Sequence, residues 1–548
     1  MIFNNNNRAK LLIVSLLLVN LLFTSCAEEI DKEIQTPIAT VRDLNVNIDM
    51  NLQTMESFGA SDAWRCNNIG KNWPIDKRNQ IADLLFSREV DATGNPKGIG
   101  LSLWRFNLGA GSTEQGVASD ISDEWRRTEC FTNDGVTYDM NNKQAGQVWF
   151  MKAAKQRGVE KLLAFANSAP VYLTNNGKGY GTIKEFYNLK PGKMPDLADF
   201  WVNAIDKLKT THGLTIDYIS PFNEPQYEWD GRTQEGSPAT NANIYSFVKD
   251  NLSPKMLAKG LNTQIVVGEA GDYESLYKTV FGKESRTNQI DYFFASNSSK
   301  NIAGLSNVKK TISGHSYWQA WPLGTLVSSR QAAATRIQSV SGLSLWSSEY
   351  AVLESPGSAE LPGGSGNGRD LGMQTALWVA RIISTDIALG GVSSWQWWTA
   401  ISRADYKDGL IYVDDGTNNG SVSASYCKND GFVMESKTLW AFGNFSFFVK
   451  PGMVRVQIPS VDNSTTTTDV MLTAYKDATN KKLVIVAVNF GKTARTYKLN
   501  LTGATLTNNK LTPYTTSETL SLKKGTDVDA ANFEIAPRAV TTYVATYK

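Results

Sequence analysis

Short apolar runs separated by amphipathic helical stretches recur along most of the chain from residue 56 onward. Eight runs stand out, at 56–61, 99–106, 161–166, 216–222, 264–268, 311–317, 343–349 and 393–398. Runs of this length with helical patterning between them are the mark of βαβ units in a parallel sheet. Helices are predicted over 74–89, with Pro74 at its start, over 144–157, with Gly158 just beyond it, and over 197–210. Eight strand–helix repeats fit a (β/α)8 TIM barrel with long insertions, and the spacing alone also admits a doubly wound sheet.

The two flanks have a different texture. Leu44-Asn45-Val46-Asn47-Ile48-Asp49-Met50 alternates apolar and polar residues, as a half-buried antiparallel strand does. Beyond Pro451-Gly452 the helical periodicity stops, and 469–475, 482–488 and 541–547 read as strands, the first two joined by a hairpin turn at Ala478-Thr479-Asn480. The predicted architecture is α/β: a barrel over 56–450, a C-terminal β-sandwich side domain over 451–548, and an N-terminal strand within 41–55 that completes the sandwich.

The first 25 residues look like a leader. Arg8 and Lys10 precede an apolar stretch over 11–23 that is short for a membrane span, as in a secretory signal peptide. Its end, Leu22-Phe23-Thr24-Ser25-Cys26, resembles a bacterial lipobox, which makes Cys26 the expected lipidated first residue of the mature protein, followed by a tether over 26–40. Plain secretion with cleavage elsewhere is the competing reading. The acidic residues Glu28, Glu29, Asp31 and Glu33 resemble a surface-export signal of lipoproteins. The expected location is the outer membrane or cell surface, with membrane contact through the lipid anchor only.

Composition removes several functional classes. With 55 basic residues spread among 53 acidic ones, for a net charge of +2, the chain has no polycationic face for a nucleic acid. His212 and His315 are its two histidines, so a His-rich zinc centre is excluded. Cys66, Cys130 and Cys427 lie 64 and 297 residues apart, match no tight metal-site spacing, and can form at most one intrachain disulfide, of open pairing. No cofactor is expected and no metal ligand is assigned, while a structural calcium stays open. The 15 Trp are numerous; most would serve the core, but some fall in loops where a sugar ring could stack.

In a (β/α)8 barrel, functional residues sit where strands end at the C-terminal face. The fourth run ends Pro221-Phe222-Asn223-Glu224-Pro225 and the seventh ends Ser347-Ser348-Glu349-Tyr350, so each closes on a carboxylate that is costly to bury unless it is paired or used. Strands four and seven face each other across the barrel mouth. Facing carboxyls are what glycoside hydrolysis requires: one protonates the leaving oxygen, and in retaining enzymes the other attacks the anomeric carbon. Capping or ion pairing is the competing role for either residue.

Asn223-Glu224-Pro225 resembles the acid/base motif of the clan A glycoside hydrolases. The segments Ser57-Phe58-Gly59-Ala60-Ser61-Asp62-Ala63-Trp64 and Leu439-Trp440-Ala441-Phe442-Gly443-Asn444-Phe445-Ser446 resemble family 30 within that clan. The resemblance implies a barrel with a side β-domain that takes in an N-terminal strand. It also implies a retaining mechanism with Glu224 as acid/base, Glu349 as nucleophile and Asn223 on the sugar 2-hydroxyl. Arg105 would donate to the nucleophile, and His315 and Tyr317 would lie against it. Asp62, Trp64, Asn107, Trp397 and Trp398 would line the sugar pocket. The opening motif, together with the insertion over 109–139, looks most like the subgroup that contains endo-β-1,6-galactanases. A xylanase, a β-1,6-glucanase or a glucosylceramidase-like enzyme stays open, as does a catalytically silent surface glycan-binding lipoprotein. The expected partner is a polysaccharide or oligosaccharide, and the expected state a monomer.

Overall fold

The apolar runs become eight parallel strands closed on themselves. The computed structural model describes residues 40–181, 187–354, 361, 364–416, 427–459 and 468–548. The leader, Cys26 and the tether up to residue 39 lie outside the described residues. Strand β1 (Arg42–Thr54) precedes the barrel, which consists of β2 (Ser57–Ser61), β3 (Leu103–Asn107), β4 (Lys161–Phe165), β5 (Tyr218–Ser220), β6 (Gln264–Ala270), β7 (Val308–His315), β8 (Ser344–Glu349) and β9 (Val392–Trp397). Each strand pairs with the next in chain order, and β9 closes on β2 through Ser57↔Ser394 and Ala60↔Trp397. A closed parallel ring in sequential order rules out the doubly wound sheet.

Both faces of these strands are covered, which is why they read as apolar runs rather than as alternation. In β3 all five residues are buried. Leu103 joins Leu163, Phe165, Val266 and Trp346 in the barrel interior, while Trp104 and Phe106 join the larger core between strands and helices. Arg105 and Asn107 share the inward face with Leu103, because side chains two apart point the same way. Gly59 permits the close approach of β2 and β3: a Cβ there would meet Leu103 Cδ2 at 2.7 Å and its carbonyl at 2.9 Å.

The predicted helices form over Ile75–Phe86, Ala145–Gln156 and Met194–His212. The last starts with Pro195 in its first turn and stops at Gly213, whose φ of 70° ends it in the left-handed region. No helix among the described residues is long and apolar enough to cross a membrane.

After β9 the chain builds a small sheet that the hydrophobic pattern did not announce, from β10 (Thr399–Ser402), β11 (Gly409–Asp414) and β12 (Phe432–Glu435). The remaining strands are β13 (Val454–Gln457), β14 (Val470–Asp477), β15 (Lys482–Asn489), β16 (Arg495–Thr502) and β17 (Lys510–Thr516). They continue with β18 (Lys523–Lys524), β19 (Val528–Asp529), β20 (Phe533–Ile535) and β21 (Ala539–Thr546). With β1 they form one largely antiparallel side sheet folded over its own core of Leu44, Val46, Ile48, Leu483, Ile485 and Tyr543. Strand β1 is antiparallel to β13 and parallel to β16, and Leu44, Val46 and Ile48 are its buried side, as its alternation indicated.

Candidate active site

The C-terminal ends of β3, β5, β6, β7 and β8 bring five ionisable groups together. At the end of β8, Glu349 accepts Arg105 Nη1 at 2.6 Å on Oε2 and the Tyr317 hydroxyl at 3.1 Å on Oε1. Arg105 Nη2 reaches Asn223 Oδ1 at 3.1 Å and Glu269 Oε2 at 2.9 Å. His315, at the end of β7, has Nδ1 2.7 Å from Glu224 Oε1 and Nε2 3.0 Å from Glu269 Oε2. A carboxylate oxygen of Glu224 and one of Glu349 lie within 4.8 Å of each other.

Burial and neighbouring charge set the protonation of these groups. Burial pushes the Glu224 carboxyl above the ordinary carboxylate range, with the Glu349 charge adding to the rise and His315 opposing it. Burial also works against charge on Glu269 and His315, and there the neighbours win. Arg105 and His315 hold Glu269 down at about 2, and Glu349, Glu224 and Glu269 carry the His315 ring up to about 10. Arg105 is held charged by Glu269 and Glu349 against the same penalty, and its guanidinium lies 3.7 Å from the Phe165 ring centroid.

A cleft of about 690 Å³ opens above this cluster. Of the residues singled out in the sequence, Trp64, Asn223, Glu224, Tyr317, Glu349 and Trp398 border it. Arg105 and His315 lie just beneath, fully buried. Asp62, Asn107 and Trp397 do not reach the cleft. Asp62 accepts the Asn107 backbone N–H at 2.8 Å and Gln147 Nε2 at 3.1 Å, and burial raises its carboxyl to about 8. Asn107 is wholly buried behind it, and Trp397 turns into the core, donating Nε1 to the Asp408 carbonyl at 2.8 Å. Strand alternation explains the last case, since adjacent Trp397 and Trp398 must face opposite ways.

Sequence reasoning missed Glu269. It ends the run of β6 as Glu224 and Glu349 end theirs, but the predicted strand stopped one residue short, at Gly268. Glu224 and Glu269 both have a φ of 44°, and the Glu224 N–H donates to the Glu269 carbonyl at 2.8 Å, so two left-handed kinks are locked together under the site. Also unforeseen were Arg65 and Asp408, an ion pair at 3.6 Å beside Trp64, and the aromatic residues Tyr227, Trp229 and Trp318 in the cleft wall. The three described cysteines, Cys66, Cys130 and Cys427, are buried and free.

The model for O-glycosyl hydrolase family 30 matches residues 41–412. An endo-β-1,6-galactanase of Hypocrea rufa is 24% identical over 482 residues, which is 84% of each chain. A conserved exported protein of Bacteroides fragilis has a solved structure 34% identical to this chain, with a TM-score of 0.84, covering 92% of this chain and all of its own. The catalytic domain of xylanase C from Talaromyces cellulolyticus, 22% identical with a TM-score of 0.64 over 92% of this chain and 100% of that one, shares the fold.

Proposed function

Since the chain belongs to O-glycosyl hydrolase family 30, we propose that it cleaves β-1,6-linked galactan within the polymer, with retention of anomeric configuration. The facing carboxylates carry this reading. Retaining enzymes hold their two carboxyls about 5 to 5.5 Å apart, whereas inverting enzymes need roughly 6.5 to 9.5 Å to admit a water. Oxygens of Glu224 and Glu349 within 4.8 Å of each other support the shorter, retaining separation.

Glu349, ionised between the Arg105 and Tyr317 donors, attacks the anomeric carbon. Glu224, kept protonated by burial, gives its proton to the departing oxygen. Water then enters, Glu224 takes a proton from it, and the bond to Glu349 is broken. Asn223 is held through Oδ1 by Arg105, which leaves its amide nitrogen for the sugar 2-hydroxyl. Because the acid/base follows β5, the leaving part of the chain lies toward Tyr227, Trp229 and Trp318, and the sugar that reacts lies toward Trp64 and Trp398.

The galactan assignment is supported by the 24% identity to the Hypocrea rufa galactanase across 84% of both chains. The test is product analysis on β-1,6-galactan, arabinoxylan and β-1,6-glucan, with Glu349→Ala alongside. Galacto-oligosaccharides of retained configuration, absent with the variant, are expected. Cleavage of another glycan replaces the substrate, inverted product removes the nucleophile role of Glu349, and intact glycans throughout favour a binding protein. We also propose that Cys26 anchors the mature protein at the cell surface by lipid, and labelled fatty acid incorporated by the wild type but not by Cys26→Ser tests it.

A further inference from the structure

Glu269 is fully buried, does not border the cleft, and touches both halves of the catalytic pair through one intermediary each. On one side Arg105 links it to Glu349, and on the other His315 links it to Glu224. Every side-chain partner it has is a donor or can be one. Oε1 accepts the Ser220 hydroxyl at 3.0 Å, and Oε2 accepts Arg105 Nη2 at 2.9 Å and the Ser348 hydroxyl at 3.0 Å. An ionised carboxylate can only accept, so the His315 nitrogen facing it at 3.0 Å, Nε2, carries its hydrogen.

That leaves Nδ1, which either takes a proton from Glu224 or donates one to it. Charge balance decides between the two. Four ionisable groups face His315, namely Glu224 following β5, Glu269 on β6, Tyr317 following β7 and Glu349 on β8, and Arg105 from β3 pairs with two of them. With Glu224 protonated, ready to act as acid, the buried cluster holds two carboxylates and Arg105. A neutral His315 leaves one uncompensated negative charge, whereas an imidazolium makes the cluster neutral.

Resting on the retaining reading above, we propose that Glu269 is a positioning residue that keeps His315 an imidazolium donating from both ring nitrogens throughout the reaction. His315 is then a fixed donor to Glu224 Oε1, not a base competing for the Glu224 proton. The transferable proton of Glu224 resides on Oε2, and it moves to the leaving oxygen as the glycosidic bond breaks and Glu349 bonds to the anomeric carbon. The carboxylate that remains keeps the Nδ1–H, and His315 loses no proton in either step. The raised proton affinity of the ring agrees with this.

The chain carries only two histidines, His212 and His315, so histidine-labelled nitrogen NMR of the full protein resolves the ring directly and needs no substrate. In the wild type, both His315 nitrogens are expected to stay protonated between about pH 5 and 8, whereas a free imidazole would titrate in that window. In Glu269→Gln, which keeps the shape and loses the charge, His315 is expected to titrate inside the window and kcat to fall. In Ser348→Ala, which keeps the charge, the ring stays protonated. A neutral wild-type His315 in that window overturns the proposal even if Glu269→Gln fails to fold, and so does a Glu269→Gln spectrum unchanged from wild type. An inverted product would remove the retaining reading and leave these spectra untouched, so the two failures are separable.

Discussion

The Tyr317 hydroxyl donates to Glu349 Oε1 at 3.1 Å, on the carboxylate oxygen opposite the one that takes Arg105. Glu349 is thus held by two donors whose directions fix its plane. A hydrogen bond to a charged group contributes about 1.5 to 3 kcal/mol, so Tyr317→Phe is expected to lower kcat by about 10- to 100-fold. Because the ring remains, KM should change little. Steady-state kinetics on the polymer check this, and a KM effect larger than the kcat effect would make Tyr317 a binding residue instead.

Glu224 should control the alkaline side of the activity profile. Its carboxyl is raised by burial, so the acid form persists above the pH at which a free glutamate ionises, and activity falls as that proton is lost. In Glu224→Ala the alkaline limb should disappear. The loss in kcat/KM, which reads the first step, should be large for substrates with poor leaving groups and small for a dinitrophenyl glycoside, whose leaving group needs no protonation. A variant that loses the same factor on both would argue for a structural role.

Asp62 couples the fold to pH with the opposite sign from the usual carboxylate. Its folded-state value, about 8 against an ordinary value of 3.8, is raised by burial. Between these two values the unfolded chain has released the proton and the folded chain has kept it. The stabilisation is therefore complete below about 3.8 and is lost as pH rises toward about 8. Thermal melts of the wild type should decline over that window, and Asp62→Asn should decline less. Equal slopes for the two proteins would show that Asp62 is ionised in the fold.

Trp318 borders the cleft beyond Glu224 and is 52% exposed, unusual for so large a ring. Its backbone N–H donates to Glu354 Oε1 at 3.0 Å, which holds it at a φ of 61°. An aromatic face offered to solvent beside a polysaccharide site suits stacking of a sugar on the leaving side of the bond. Trp318→Ala is expected to raise KM by about 10-fold on long substrates, with little change in kcat. Fluorescence titration of Glu349→Ala with and without the Trp318 change reads the same effect as binding, and equal affinities would refute it.

The barrel was legible because buried parallel strands have no alternation to hide, and each of the eight runs became a strand within a few residues of its predicted bounds. Glu224 and Glu349 stood out as charges closing apolar runs. The same signal marks Glu269, and ending the fifth run at Gly268 concealed it. What the sequence could not phase was which neighbour faces the cleft. Trp397 and Trp398 are equivalent in composition and opposite in direction, and Asp62 lies two residues from Trp64 but behind the wall that Trp64 forms. The sheet of β10, β11 and β12 escaped notice because β10 and β12 span four residues each and β12 is not buried, which leaves the apolar run of β11 to stand alone.

In the sequence the insertion after β3 is only a mark of subgroup, and the structure shows what anchors it. Glu235, fully buried in the loop after β5, accepts the Ala110 N–H at 3.0 Å, the Ser112 N–H at 3.1 Å and the Ser112 hydroxyl at 2.6 Å. This one carboxylate ties the insertion that carries Arg126 to the loop that carries Trp229, and both residues border the cleft. Removing it strands several buried donors, each costing about 1 to 3 kcal/mol. Glu235→Ala is therefore expected to lower stability by about 3 to 5 kcal/mol and to raise KM, while Glu235→Gln, which can still accept two of the three bonds, should retain most of both. Chemical denaturation alongside kinetics checks this. If Glu235→Ala melted like the wild type, the insertion would be held by other contacts, and Glu235 would be free to be read as part of the substrate wall.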